Sequence, residues 1–171
     1  MKTTTSLYDA TTASFIRTSG AMKSVMDKSR KYFGDEGTDP DSILPMSLYP
    51  DMRPFIFQVI SIFIHSMDTL RALESGVFEP KIPQLDPTFN GLALALERNC
   101  DNLGEFTPER VNALDLGGEL RLERGDMIGK HEFVFARAIP NFYFHATTAY
   151  DILRMNGAPI GKRDFLGIEP E

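Results

Sequence analysis

The sequence contains a single cysteine, no tryptophan and only three histidines in 171 residues. One cysteine excludes an internal disulfide, and Cys100 is expected to be a small buried apolar residue. The sequence also lacks a G-x-S-x-G motif, a glycine-rich phosphate loop and paired cysteine motifs. These absences remove the common sequence signatures of serine hydrolases, nucleotide-binding loops and paired-cysteine sites, and composition alone does not indicate a function.

An excess of basic residues is also missing, since the formal net charge is −6 and lysine and arginine are not clustered. A nucleic-acid-binding surface needs such a cluster to displace counterions from phosphates. The longest apolar run, residues 55–64, is interrupted by polar Gln58 and Ser61 and is too short to span a membrane. The N-terminus does not resemble a secretory signal. We therefore expect a cytoplasmic protein that binds neither nucleic acid nor membranes.

Four segments with apolar residues at helical spacing account for most of the chain. A length of 171 residues fits one domain, spanning residues 1–171. The last helix should be capped by Asp126, kinked at Pro140 and ended by Gly157 with Pro159 just beyond it. Asp86 should cap the third helix, with Pro87 as its first residue. The spacing predicts helices over approximately residues 6–33, 51–74, 87–104 and 126–156.

A short stretch before the last helix has a different pattern. Gly117 and Gly118 lie between residues 112–116 and 119–123, and Leu120 and Leu122 alternate with charged residues. A two-residue glycine turn flanked in this way is typical of a β-hairpin. The sequence thus predicts an all-α four-helix bundle with a small β-hairpin insertion before the last helix.

Polar residues form a stripe along the otherwise apolar second helix. At about 100° per residue, Gln58, Ser61, His65 and Asp68 share one side of it. The stripe could be the solvated face of an amphipathic helix. It could also be an inward-facing polar site, because a solvated face normally carries lysine or glutamate and this stripe has neither. Both interpretations stay open at this point.

The last helix carries a second small polar face. Asn141, His145 and Thr148 are three or four residues apart and therefore share a side of that helix. In a four-helix bundle, ligand and cofactor sites lie between inward-facing side chains of different helices. His65 and His145 are the two histidines that could meet there, whereas His131 is about 21 Å from His145 along a straight helix.

Residues 141–167, NFYFHATTAYDILRMNGAPIGKRDFLG, resemble the C-terminal signature of one branch of the DinB/YfiT-like superfamily, a branch of unknown function. The stretch at residues 48–52 and the Gly117-Gly118 region are also similar, so the likeness covers nearly the whole chain. The resemblance implies a DinB-like four-helix bundle. It implies function only weakly, since the better-understood members are candidate metal-dependent enzymes.

The resemblance also implies a ligand set of three histidines, one on the second helix and an H-x-x-x-H pair on the last. The corresponding residues here are His65, Asn141 and His145, so asparagine replaces one ligand. An amide is a poor ligand for Zn or Ni beside imidazole. Asp68, one turn from His65, could orient that ring or supply an oxygen.

Two functions follow from these observations. The first is a small-molecule pocket around His65 and His145, lined also by Asn141, Asp68, Gln58, Ser61 and Thr148, in a metal-dependent transferase or hydrolase that uses Zn or Ni. The alternative is a non-enzymatic small-molecule-binding or stress-associated bundle with a degenerate metal site. The sequence does not decide whether the protein is an enzyme.

A further expectation concerns assembly. Ile56, Ile60, Phe63 and Met67 lie opposite the histidine stripe of the second helix and form a third apolar strip. If the bundle leaves this strip uncovered, it should pack against a second copy in a two-fold homodimer. If the hairpin or the C-terminal tail covers the strip instead, the protein should be a monomer.

Overall fold

Four long helices form a bundle in the computed structural model, which describes residues 5–168. A π-helical turn (Asp9–Ala13) leads into α1 (Ser14–Asp35), and α2 (Phe55–Ser75) and α3 (Phe89–Gly104) follow. The fourth helix, α5 (residues 130–155), consists of Lys130–Glu132, a π-helical segment Phe133–Ala138 and Ile139–Met155. Short helices α4 (Pro108–Asn112) and α6 (Lys162–Leu166) complete the set. The predicted four-helix bundle is confirmed.

The core of the bundle follows from the apolar spacing. On α1, Phe15, Met22, Met26 and Phe33 recur at intervals of four or seven and are almost completely buried. The Phe15 ring packs on that of Phe142 from α5, with centroids 4.5 Å apart. Each such side chain contributes about 1.5–3 kcal/mol when it is fully buried. α1 packs along α3 and α2 packs along α5, so the two histidine-bearing helices are neighbours.

A π-helical segment, Ile64–Asp68, interrupts the α-helical turns of α2. The extra residue in such a turn changes which side of the helix the following residues occupy, and π turns occur often at functional sites. His65 packs against α5, whereas Asp68 reaches the connection between α2 and α3. The single stripe predicted from regular 100° spacing is therefore divided between two sides of the helix.

The small sheet has three strands in the order β1 (Val77–Phe78), β2 (Glu119–Leu122) and β3 (Met127–Gly129). β1 pairs with β2 in parallel, with Phe78 opposite Leu122, and β2 pairs with β3 in an antiparallel hairpin. The prediction of a hairpin is confirmed, but its turn was placed wrongly. The turn lies between Leu122 and Met127, where Gly125 has φ of 94° and donates its N–H to the Leu122 carbonyl.

Gly117 and Gly118 precede β2 and do not close the hairpin. The Asp115 carboxylate accepts a hydrogen bond from the Gly117 N–H at 2.8 Å, which fixes a local side-chain turn there. Residues 112–116 consequently form no strand. The Gly-Gly pair is therefore not the hairpin turn. It lies in a local turn that the Asp115 carboxylate fixes just before β2.

Two predicted helix starts also differ from the structure. Thr88, not Asp86, caps α3, whose first residue is Phe89, and the Thr88 hydroxyl donates to the Asp86 carboxylate. Asp126 does not cap the last helix, because it lies in the hairpin turn and α5 begins at Lys130 after β3. Asp86 and Asp126 are of a residue type favoured at helix N-caps, and each lies a few residues before the observed helix start. The sequence pattern alone therefore favours them as caps.

The apolar strip predicted to form a homodimer is covered within the chain. Phe63 and Met67 are only 7% and 6% exposed, and Ile56 and Ile60 are half-buried against the core. Phe63 and Met67 lie under α3 and the connection before it. Phe63 and Met67 are therefore not available to a second copy in this structure. A homodimer stays a prediction.

α2 is the one helix in residues 5–168 that is long and apolar enough to cross a membrane by length and composition. Within the domain, 67% of its most apolar 18-residue window is buried. α2 is therefore largely a core helix of the bundle.

Candidate functional site

The bundle brings His65 of α2 and His145 of α5 together. Their rings are nearly parallel, with an interplanar angle of 8° and centroids 5.4 Å apart. Both side chains are half-buried. The two histidines predicted to meet between helices are therefore neighbours across the contact between α2 and α5.

Phe78 covers the His65 ring. Its ring lies 6.3 Å from that of His65 at an interplanar angle of 22°, and it also packs on Phe133 at 5.0 Å. Because Phe78 belongs to β1, the small sheet protects the histidine pair from solvent. Sequence reasoning missed Phe78, since a two-residue strand has too few positions for an alternating pattern to be visible.

A hydrogen-bond chain fixes the His145 ring. Its Nδ1 lies 2.7 Å from Oε1 of Gln58, whose Nε2 donates to the Arg53 carbonyl at 2.7 Å. Because the amide nitrogen of Gln58 is directed at a carbonyl, its oxygen faces the ring and His145 must donate from Nδ1. His145 is therefore the Nδ1–H tautomer, and its Nε2 carries the lone pair.

Burial keeps both rings neutral. Removal from water lowers the pKa of His145 to about 4. The same desolvation, with a smaller contribution from the neighbouring His145, lowers the pKa of His65 to about 4. Aromatic rings account for much of this environment, since Phe57 and Phe144 both meet the His145 ring edge-on. At neutral pH the pair is uncharged.

Replacing Gln58 with leucine is expected to destabilise the domain by about 1–3 kcal/mol. The buried glutamine serves both His145 Nδ1–H and the Arg53 carbonyl, and the substitution leaves both groups without their partner. Urea unfolding of the variant would measure the loss. Gln84→Leu, at an exposed glutamine, is the matched control and should change the unfolding free energy by less than about 0.5 kcal/mol.

The other predicted site residues have different partners. Asp68 does not orient His65, because its carboxylate accepts hydrogen bonds from the Lys81 N–H at 2.8 Å and from Arg71 at 3.3 Å. The Thr148 hydroxyl donates to a carbonyl of its own helix, and the Asn141 amide donates to the Arg137 carbonyl at 2.8 Å. Ser61 is buried, at 2% exposure. Of the five predicted pocket residues, Gln58 alone is hydrogen-bonded to the histidine pair.

The arrangement of the pair does not fit the metal site that the bundle family implies. An ion held by both histidines would lie in the plane of each ring, about 2.0–2.1 Å from a nitrogen of each. The third ligand that the resemblance implies is missing here, because Asn141 stands in its place and its amide donates to the Arg137 carbonyl. Across residues 5–168, no group of three His, Cys, Asp or Glu side chains is close enough to hold an ion. Metal binding by His65 and His145 stays a prediction that no third ligand of these types in residues 5–168 supports.

Several open cavities lie away from the histidine pair. Five of them, of about 210 to 390 Å³, lie in the described part of the chain, and His65 and His145 line none of these five. The smallest of the five, of about 210 Å³, lies between α2, α3 and the connection joining them. A pocket around the two histidines, as predicted from sequence, is therefore not among these cavities.

Comparison with known proteins places these observations in context. A family model described as a domain of unknown function, DUF1993, matches residues 7–166. A crystal structure of a DinB family member protein from Shewanella denitrificans superposes with a TM-score of 0.81 and 28% sequence identity, covering 96% of this chain and 94% of that one. No curated protein matches the sequence.

Proposed function

We propose that this chain, which belongs to the DUF1993 family, is a non-enzymatic small-molecule-binding domain of the cytoplasm in which the histidine pair is a neutral structural contact. The similarity to a DinB family member supports the bundle architecture and leaves the activity open. The observation that carries the proposal is the missing third ligand, because Asn141 stands where the resemblance implies a histidine and its amide donates to the Arg137 carbonyl.

The burial of the pair supports the same proposal. A general base works best when its pKa lies near the working pH, and desolvation holds both pKa values near 4. The Gln58 bond occupies Nδ1 of His145, and the Phe78 ring covers His65. The pair therefore stabilises the contact between α2, α5 and β1 without presenting a reactive group of matched pKa.

A metal-dependent transferase or hydrolase is the competing function, and one observation favours it. Metal-binding histidines usually donate their second ring nitrogen to an oxygen, and His145 donates from Nδ1 to Gln58. The lone pair on Nε2 would be the ligand atom. An ion there would polarise a bound water or thiol, with the neighbouring His65 as the one further imidazole beside it in residues 5–168.

Calorimetric titration of the untagged protein with zinc separates the two functions. We expect no stoichiometric binding by the wild type, because the two imidazoles lack a third ligand of the histidine, cysteine or carboxylate type. Asn141→His is the positive control, since it creates an H-x-x-x-H pair with His145 on α5 and should bind zinc at least about a hundredfold more tightly.

Stoichiometric zinc binding by the wild type, lost in His65→Phe, would contradict the proposal. Such a result would mean that the two imidazoles suffice to hold an ion, and it would favour the metalloenzyme hypothesis. The same titration with nickel covers the second metal that the resemblance implies.

A further inference from the structure

The cavity of about 210 Å³ lies between α2, α3 and the connection that joins them, and its lining residues include neither histidine of the pair nor their partners Gln58 and Phe78. The π-helical segment of α2 contributes Met67 and Asp68, α3 contributes Arg98 and Asn99, and the connection at residues 76–88 closes it with Lys81. Its volume of about 210 Å³ is more than ten times the roughly 10–15 Å³ that one water needs. The cavity can therefore hold a small organic molecule.

The charge of this cavity is opposite to that of the whole protein. Arg71, Lys81 and Arg98 line it, against one carboxylate, Asp68, although the chain has a net charge of −6. The side chains of Lys81 and Arg98 form no salt bridge with any residue in the range 5–168. A cleft lined by one sign of charge concentrates ligands of the other sign.

The single carboxylate is already engaged. Asp68 is 6% exposed, and its two oxygens accept hydrogen bonds from the Lys81 N–H at 2.8 Å and from Arg71 Nη1 at 3.3 Å. This double contact fixes the backbone of the connection at Lys81 against α2, beside the cavity. Asp68 thus positions Arg71 and the connection at Lys81. The remaining N–H donors of Arg71, Lys81 and Arg98 are available to a ligand.

Apolar and amide groups complete the lining. Phe63 and Met67 form buried apolar surface, and Ala95 is a small residue beside them. Asn99 is 4% exposed, and its amide nitrogen donates to the Ser66 hydroxyl at 3.1 Å, which fixes the side chain in place. Phe63, Met67 and Ala95 together form the apolar floor of the cavity. A ligand that fits this lining has one anionic group that pairs with the cationic side chains and a short apolar part that contacts the apolar floor.

We infer that this cavity binds a small organic carboxylate with a short apolar or aromatic part. Planar carboxylates pair with guanidinium in a two-point geometry, which favours them over other anions at a site with two arginines. The inference names the ligand class of the proposed binding function and rests on it. The cavity residues are not those of the histidine pair. A failed zinc prediction and a failed carboxylate prediction can therefore be told apart.

Calorimetric titration with benzoate tests the inference, with benzamide, acetate and inorganic phosphate as comparisons at constant ionic strength. We expect benzoate to bind the wild type with a Kd below about 1 mM. Benzamide lacks the charge and acetate lacks the apolar part, so each should bind at least about tenfold more weakly. Phosphate should also bind more weakly, because it has no part that contacts the apolar floor.

Paired variants show whether the cavity is the binding site. The double variant of Lys81→Gln and Arg98→Gln should weaken benzoate binding at least about tenfold. The double variant of Arg124→Gln and Lys162→Gln changes the net charge equally at exposed residues outside the cavity and should bind as the wild type does. Equal affinity for benzoate and benzamide, equal loss in both double variants, or phosphate binding as tight as benzoate would each overturn the inference.

Discussion

Replacing Gly91 with alanine is expected to destabilise the domain by about 2–4 kcal/mol. Gly91 lies in the first turn of α3, and a Cβ there would overlap the backbone carbonyl oxygen of Asp86 and lie 2.7 Å from the Asp86 Cβ. These atoms cannot move without shifting the connection before α3, since the clash is with backbone and not with the end of a flexible side chain. Thermal and urea unfolding would measure the loss.

Gly20→Ala is the matched control, with the opposite sign expected. Gly20 lies inside α1, and the nearest atom to an added Cβ is the Cys100 sulfur at 4.0 Å, an ordinary contact. Alanine should stabilise α1 by about 0.5–1 kcal/mol because it loses less backbone freedom on folding than glycine. If both variants changed stability equally, the close approach of the connection to α3 would be wrong.

Acidification is expected to cost the domain about 4 kcal/mol through its two half-buried histidines, His65 and His145. Both folded pKa values are lowered to about 4 from 6.5, so the unfolded chain takes up protons first as the pH falls. The stability that depends on neutral rings is complete above pH 6.5 and is lost between pH 6.5 and 4. The shift corresponds to about 3 kcal/mol per ring, which partial exposure reduces to about 2.

Urea unfolding at a series of pH values checks this expectation. His65→Phe should remove about half of the pH-dependent loss, since a phenyl ring can keep the stack between Phe78 and His145 without titrating. His131→Gln, at an exposed histidine, should leave the loss unchanged. Burial raises the pKa of Asp68 and so opposes the loss at the acidic end, but this contribution cancels between the wild type and the variants. If the wild type, His65→Phe and His131→Gln showed the same pH dependence of the unfolding free energy, the neutral state of the His65 ring in the folded protein would be contradicted.

The bundle could be predicted from the sequence because four apolar repeats are long enough to show the 3.6-residue period. Buried α1 residues such as Phe15 and Met22 follow that period closely. The hairpin turn was misplaced because a glycine pair and a single glycine are both plausible turns in sequence. What decides between them is the Asp115 side chain, which holds Gly117 in a local turn of its own.

The candidate site could be predicted only in part. The pairing of His65 with His145 was visible from their helices, but the π-helical segment in α2 was not, and it directs Asp68 to Lys81 and away from His65. A regular 100° rotation per residue cannot represent an inserted residue. The cover by Phe78 and the cationic cavity depend on the path of the connection after α2, which leaves no periodic signal.

His65 and His145 form a neutral stacked pair, and Gln58 holds His145 as the Nδ1–H tautomer. A long-range ¹H–¹⁵N correlation spectrum of the histidine rings at neutral pH, without and with one equivalent of zinc, tests this arrangement. We expect two neutral rings, a protonated Nδ1 on His145 and no change on adding zinc. A protonated Nε2 on His145, an imidazolium signal from either ring, or zinc-induced shifts of both rings would contradict it.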